Sequence, residues 1–341
     1  MRKVVIVGGG FAGAYAAKKL ENDFAVTLID NKDYFEFTPS VLRTLVEPNH
    51  IKKIQVLHSH YLKKAKIVRG NAEKITPDKV FVEKKEFRFD YLLICTGSNY
   101  NLPFKDEEVL VATRAEHLRE YQDKLKQSKK ILIIGGGLVG VELAGEIVDH
   151  YPSKEVTIIQ SGDKLLVRSP QKVIDYITDK LKRKIKIIYN EAIEKKEGKT
   201  LIARSGKKYS ADLSFLCTGI KPNFQCLKDL GEIISEKNYV CVNENLQING
   251  FKNIFAAGDI TDIKEEKMAQ TAEKQAEVVV KNLYNLEQGK KLQKYQPQPR
   301  PMLISLGKWR GIFNYRNIFL TGLIPGIMKQ LVEWKAMRKY R

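Results

Sequence analysis

The chain of 341 residues carries only four cysteines, Cys95, Cys217, Cys226 and Cys241, and none are spaced as CxxC or CxxxxC. Neighbours in sequence therefore supply no redox dithiol pair, and so few thiols fit a reducing, cytoplasmic compartment. Cys95 and Cys217 lie in apolar runs just ahead of Thr-Gly pairs, where a thiol behaves as a small buried hydrophobe. Long apolar runs are lacking too: none reaches the ~18–20 residues that a bilayer-spanning helix needs. Met1-Arg2-Lys3 leads straight into a β-branched run, so we expect no signal peptide, and position 2 lacks the glycine required for N-myristoylation. Acidic residues are outnumbered. With 59 Lys+Arg against 40 Asp+Glu the formal charge is +19, which suits either a solvated lysine-rich surface or a basic binding face.

What the chain does have is a repeat. KVVIV precedes Gly8-Gly9-Gly10-Phe11-Ala12-Gly13, and KILII precedes a second fingerprint at Gly135, Gly137 and Gly140. Such glycines open a tight turn, let backbone approach a pyrophosphate, and let a helix pack on the strand. The helix N-terminus then offers unpaired N–H groups and a positive dipole end to the phosphates. The order strand, helix, strand follows each time, as FAGAYAAKKLEN then AVTLID, and LVGVELAGEIVDHY then EVTIIQ. The first unit closes on Asp30, where a carboxylate would bind ribose hydroxyls; the second closes on neutral Gln160, with Lys164 and Arg168 nearby. A glutamine does not repel a 2′-phosphate, so NADPH is open beside NADH, with NADH modestly preferred. Two fingerprints imply two nucleotides facing each other, an arrangement suited to electron transfer.

Downstream, NIFAAGDIT runs an apolar strand into Gly258-Asp259, ahead of a helix expected over about 268–286. An aspartate there either caps that helix or, with Gly8–Gly13, Asp30 and the Thr96-Gly97 turn, binds a flavin ribityl chain when the strand returns to the first unit. Glu142, two residues past Gly140, is either a dipole-stabilised carboxylate or one directed at the flavin–nicotinamide contact. Residues 301–341 hold eight basic residues against the single Glu333, a net of +7, interleaved with Trp309, Phe313, Phe319, Leu323, Ile327, Leu331 and Trp334. That mixture describes an interfacial element on an anionic membrane; a helical hairpin docked on the body, or a homodimer contact, also fits. No nucleic-acid recognition motif accompanies the charge, and no metal site is expected.

The chain resembles the two-dinucleotide-domain flavoproteins, and within them the type II NADH dehydrogenase and ferroptosis suppressor (apoptosis-inducing factor 2) branch. The resemblance spans nearly the whole chain and rests on VVIVGGGFAG, KDYFEFTPSVLR, LLICTGS, ILIIGGGLVGVELAGEI, VTIIQSGDKLL, FLCTGIKPN (with Gly219) and NIFAAGDITD followed by KMAQTAEKQA. It implies that FAD contacts Gly8 to Ala12, Arg43, the backbone near Ala72, and Asp259, with Phe35, Phe37, Thr38 and Pro39 lining the isoalloxazine. It further implies that Glu142 lies near the nicotinamide contact and that Ala269, Ala272 and Gln275 belong to a quinone-site helix, although Lys274 replaces an expected glutamine. Relatives that pass electrons through thiols need cysteines near the first flavin helix, within FTPSVLR, or after Cys241, and this chain has none there.

The expectation is therefore an α/β protein with two Rossmann-like domains, the second inserted in the first: residues 1–110 and 229–290 for FAD, 111–228 for NAD(P)H, and 291–341 as a membrane-surface and quinone-site segment. Its expected activity is peripheral-membrane NAD(P)H:quinone oxidoreduction, nicotinamide C4 being held against flavin N5. A reductase of a small acidic redox protein, or a slow redox-sensing flavoprotein, are the alternatives.

Overall fold

The computed structural model describes residues 1–100, 109–111, 121–198 and 200–341. Of AEHLREYQDKLKQ, which reads as a helix in sequence, residues 115–120 lie outside the described residues and Gln122–Gln127 is helix. Two five-stranded parallel sheets dominate, and they share one strand order. The first runs 254–256, 91–94, Lys3–Val7, Ala25–Asp30, 66–69; the second runs 109–111, 213–216, Lys130–Ile134, Glu155–Ile159, 186–188. In each the fingerprint strand is central and almost wholly buried, as a β-branched run covered on both faces must be. Because Ile254–Ala256 pairs with Tyr91–Ile94, the chain leaves the first sheet, builds the second, and returns. Ser98–Tyr100 and Ile220–Pro222 cross between the units as an antiparallel pair. Val109–Val111, which straddles the expected boundary at residue 110, pairs in the second sheet.

Each fingerprint launches a helix, α1 (Phe11–Leu20) and α2 (Leu138–His150), with Gly10 and Gly137 at the caps. Gly8 and Gly135 hold φ of +102° and +108°, and a Cβ on either would overlap the carbonyl oxygen of Cys95 or Cys217. Side chains are thus excluded there by both backbone conformation and space. The small residues Ala12, Ala16 and Ala17 of α1 let it lie against α3 (Ala269–Glu287), within one residue of the helix expected from sequence. The segment YFEFTPSV, whose sequence reads as an extended stretch, is strand only over Tyr34–Glu36 and then tightens into a 3-10 stretch, Thr38–Leu45, with Pro39 in its first turn.

The C-terminal segment is not a helical hairpin. It is an antiparallel meander, Met302–Ser305, Gly311–Tyr315 and Ile318–Gly322, followed by α4 (Leu323–Arg338). Gly322 turns the chain at φ +91°, and Pro325 is tolerated because it falls in the first helical turn, where its missing N–H is no loss. The meander lies directly on α2: a Cβ on Gly145 would sit 2.8 Å from the Leu306 Cα.

Candidate functional site

The two fingerprints handle their closing side chains alike. The Gly9 N–H donates to Asp30 Oδ2 at 2.9 Å, and the Gly136 N–H donates to Gln160 Oε1 at 2.8 Å. Asp30 is buried, which works to raise its pKa. The hydrogen bond from His58 and the charge of Lys32 outweigh that and hold it below the usual carboxylate range. Beyond Gly10 and Gly137 a Cβ would meet nothing within 4 Å, so both helix N-termini open onto free space.

Gly258 brings the returning strand to this mouth. Its Cβ position lies 3.5 Å from the Ala272 Cβ and 3.7 Å from the Ala12 Cβ, which places Gly258-Asp259 between the ends of α1 and α3. Asp259 Oδ2 accepts from Ser98 Oγ at 2.8 Å, and burial pushes its pKa up despite that bond and the nearby Lys267. Thr96 Oγ1, next to Gly97 (φ +62°), is buried without a hydrogen-bond partner. An open helix N-terminus, an acceptor carboxylate and an unpartnered hydroxyl together fit a dinucleotide carrying phosphates and sugar hydroxyls. Ala72 starts the strand Ala72–Ile75 of a separate three-stranded antiparallel sheet, just beyond Gly70, whose N–H bonds the Asp30 carbonyl; Gly219 holds φ +99° in the second unit's turn that matches Thr96-Gly97.

Gln275, expected in a quinone-site helix, is held by protein partners. It is 1% exposed, its Oε1 accepts the Gly258 N–H at 2.7 Å, and its Nε2 donates to Glu265. It braces the Gly258-Asp259 turn from inside. Ala272 is buried beside that turn, whereas Ala269 opens the helix at partial exposure.

A cluster of partnered carboxylates lies on α2. Glu142, Glu146 and Asp149 occupy successive turns of one face. Glu142 stands in the second helical turn rather than the first, so it caps nothing. Its Oε1 accepts from the Ser305 N–H at 2.8 Å and from Lys329 Nζ at 2.6 Å. Glu146 pairs with Arg43 at 3.0 Å, and Asp149 accepts the Lys308 N–H at 3.0 Å. Burial disfavours the Arg43 cation, but the Glu146 carboxylate more than offsets this and keeps it protonated. Pro39, Arg43, Glu142, Glu146, Ser305 and Lys329 line one small cavity. Thr38 and Pro39 lead into that cavity from a stretch backed by the buried Phe35 and Phe37.

Lys329, Ser305 and Glu146 were not singled out from sequence. The i, i+4, i+7 spacing of the α2 acids and a lone lysine inside the apolar run Leu323–Val332 were the available signals. The three buried thiols offer no relay, since desolvation pushes Cys226 up to about 11, Cys217 up to about 12 and Cys95 higher still.

A second pair locks α4 to the first unit: His50 Nε2 lies 3.0 Å from Glu333 Oε2. Burial opposes ionisation of Glu333, but His50 and Ser40 hydrogen bonds prevail and depress its pKa from the ordinary 4.5. A depressed carboxylate contributes stability fully above the ordinary value and loses it as pH falls below. Amide protection factors across α4 are therefore expected to fall on acidification below about pH 4.5, and Glu333→Gln should flatten that dependence.

Comparison with known proteins places this arrangement. Residues 2–276 match the family model described as pyridine nucleotide-disulphide oxidoreductase. Apoptosis-inducing factor homolog A of Dictyostelium discoideum is 34% identical over 96% of this chain and 88% of its own length. Ferroptosis suppressor protein 1 of Homo sapiens is 31% identical over 98% of this chain and 96% of its own. The fold is also that of NDH2 from Plasmodium falciparum, solved in complex with NADH, with a TM-score of 0.87 at 14% identity over 99% of this chain and 96% of that one. This chain belongs to the pyridine nucleotide-disulphide oxidoreductase family.

Proposed function

We propose that the protein is a peripheral-membrane, FAD-dependent NAD(P)H:quinone oxidoreductase. FAD in the first unit supplies a group that accepts a hydride and passes on two electrons, so that NAD(P)H, a proton and a quinone give NAD(P)+ and quinol. Gly8–Gly13, Asp30, Thr96, Gly97 and Asp259 would hold the FAD; Gly135, Gly137, Gly140, Gly219 and Gln160 would receive the nicotinamide dinucleotide. Nothing anionic at Gln160 discriminates against a 2′-phosphate.

The observation that carries this reading is the two-faced C-terminal unit. On the inner stripe of α4, Lys329, Glu333 and Met337 recur every four residues and reach Glu142, His50 and the core. The outer stripe exposes Leu323, Ile324, Ile327, Leu331 and Trp334 at 47–61%, with Lys335 and Arg338 at its end. Trp309, half exposed, extends the apolar patch from the meander. An apolar stripe rimmed by cations suits the headgroup boundary of an anionic bilayer, and no helix among the described residues is long and apolar enough to cross one. One helix thereby connects a lipid-facing surface to the carboxylate proposed to face the reacting groups. Lys329 Nζ lies within hydrogen-bond reach of both Glu142 Oε1 and Ser305 Oγ, so an exchangeable proton is held there for the second protonation of the acceptor.

Because Ser305 and Lys329 are part of the site, removing residues 301–341 would dismantle it along with the surface, and point substitutions are the cleaner test. The triple variant Ile327→Ser, Leu331→Ser, Trp334→Ser should bind anionic liposomes at least about tenfold more weakly. Its rate with a water-soluble quinone should be preserved; unchanged sedimentation with liposomes would refute the membrane assignment. Glu142→Gln should retain FAD and slow flavin reduction by NADH at least about tenfold. An unaltered reduction rate would remove Glu142 from the nicotinamide contact.

A further inference from the structure

His58 is fully buried, beside the first fingerprint and behind Asp30. It opens the short turn His58–Tyr61 and is fixed by its own N–H, which donates to the Asp33 carbonyl at 2.8 Å. Its ring lies against the fingerprint: a Cβ on Gly9 would fall 2.5 Å from His58 Nε2 and 2.6 Å from Cε1. Nε2 lies 3.3 Å from Asp30 Oδ2, and Nδ1 lies 2.6 Å from the Tyr61 hydroxyl.

The tautomer follows from the partners. An ionised Asp30 only accepts, so the proton between them is on Nε2. In a neutral ring Nδ1 then accepts, and Tyr61 donates to it. Burial keeps the Tyr61 phenol from ionising, so that donor persists. Oδ2 of Asp30 is thereby taken by two protein donors, the Gly9 N–H and His58 Nε2–H. Oδ1 has only the Lys32 N–H at 3.3 Å and keeps acceptor capacity for a ligand hydroxyl. Tyr61 is held in turn by Tyr340, whose ring centroid is 4.9 Å away and which also packs on Phe35 at 4.2 Å.

The second unit lacks this device. At the matching glycine, Gly136, the space that His58 fills in the first unit is filled by the Leu165 side chain, and Gln160 stands in place of Asp30. One site has a polar buttress behind its sugar-binding residue and the other has an apolar one.

We infer that His58, oriented by Tyr61, is a positioning residue that fixes the Asp30 carboxylate for the adenosine-side ribose. It thereby makes the first site the tight, resident one and leaves the second, backed by Leu165, to exchange its dinucleotide. This rests on the reading of the first unit as the FAD site. The test is the FAD dissociation constant of the full-length protein, in a double-mutant cycle with Asp30→Ala. His58→Phe should weaken FAD binding about tenfold, as expected for one lost buried hydrogen bond to a charged group, and Tyr61→Phe about threefold. His58→Gln, whose amide can still donate to Asp30, should recover most of the loss. In the Asp30→Ala background both His58→Phe and Tyr61→Phe should add less than about twofold. Should His58→Phe fail to fold, Tyr61→Phe, which removes a single oxygen, decides alone with the same cycle. If Asp30→Ala weakens FAD while Tyr61→Phe and His58→Phe bind it normally, or weaken it as much without Asp30 as with it, the inference is overturned and the FAD assignment stands. If Asp30→Ala itself leaves FAD affinity unchanged, both fall.

Discussion

Three carboxylates on one face of α2 constrain everything around them. Glu142, Glu146 and Asp149 are close enough to repel one another, and the first two are buried, where an unpaired carboxylate is costly. Each has been met by a group from a different part of the chain. Arg43 comes from the first unit, the Ser305 and Lys308 N–H groups from the meander, and Lys329 from α4. Satisfying the acids therefore fixes the second fingerprint helix against both the first unit and the C-terminal segment. The small size of Gly145, between Glu142 and Asp149, lets the Leu306 backbone come near enough for this to happen. A cluster in which every ion has a partner tolerates few alternative packings, so it specifies geometry more than it adds stability.

The repeat gives the protein two sites from one plan, and the differences between them are local. Strand order, the positive-φ glycines and the cap glycines are duplicated. What differs is the side chain closing the second strand and the residue behind it, Asp30 with His58 in one unit and Gln160 with Leu165 in the other. In the proposed function this is the difference between a group that stays and one that comes and goes. The same asymmetry extends to the C-terminus, since Tyr340 backs Tyr61 while Lys329 serves Glu142. The C-terminal segment, whose helix is proposed to lie on the membrane, thus reaches the surroundings of both sites.

Much of this was legible in the sequence, for physical reasons. Glycine fingerprints are required by backbone conformation, so Gly8, Gly13, Gly135 and Gly140 announce their turns without reference to distant residues. Asp30 and the long helix ending near Leu286 follow from position and periodicity in the same way. The meander was hidden because its pairing is set by packing on α2, and its strands are brief, with Lys308, Arg310 and Arg316 in the turns between them. The burial of Gln275 against Gly258 was hidden because an amide bracing a turn and one contacting a ligand look identical in sequence. Lys329 was hidden for a related reason: its partner lies 187 residues away.

The account stands or falls on how electrons leave. Burial raises the pKa of Cys95, Cys217 and Cys226, and in the proposed function electrons pass directly from the reduced flavin to an acceptor reached through the C-terminal unit. The most direct measurement is anaerobic stopped-flow mixing of the NADH-reduced, full-length protein with a short-tailed quinone, following the flavin's visible absorbance. Prompt recovery of that absorbance, unaffected by prior thiol alkylation, is the predicted result. A flavin that stays reduced with quinone yet is reoxidised by a disulfide or by a small acidic redox protein would contradict it.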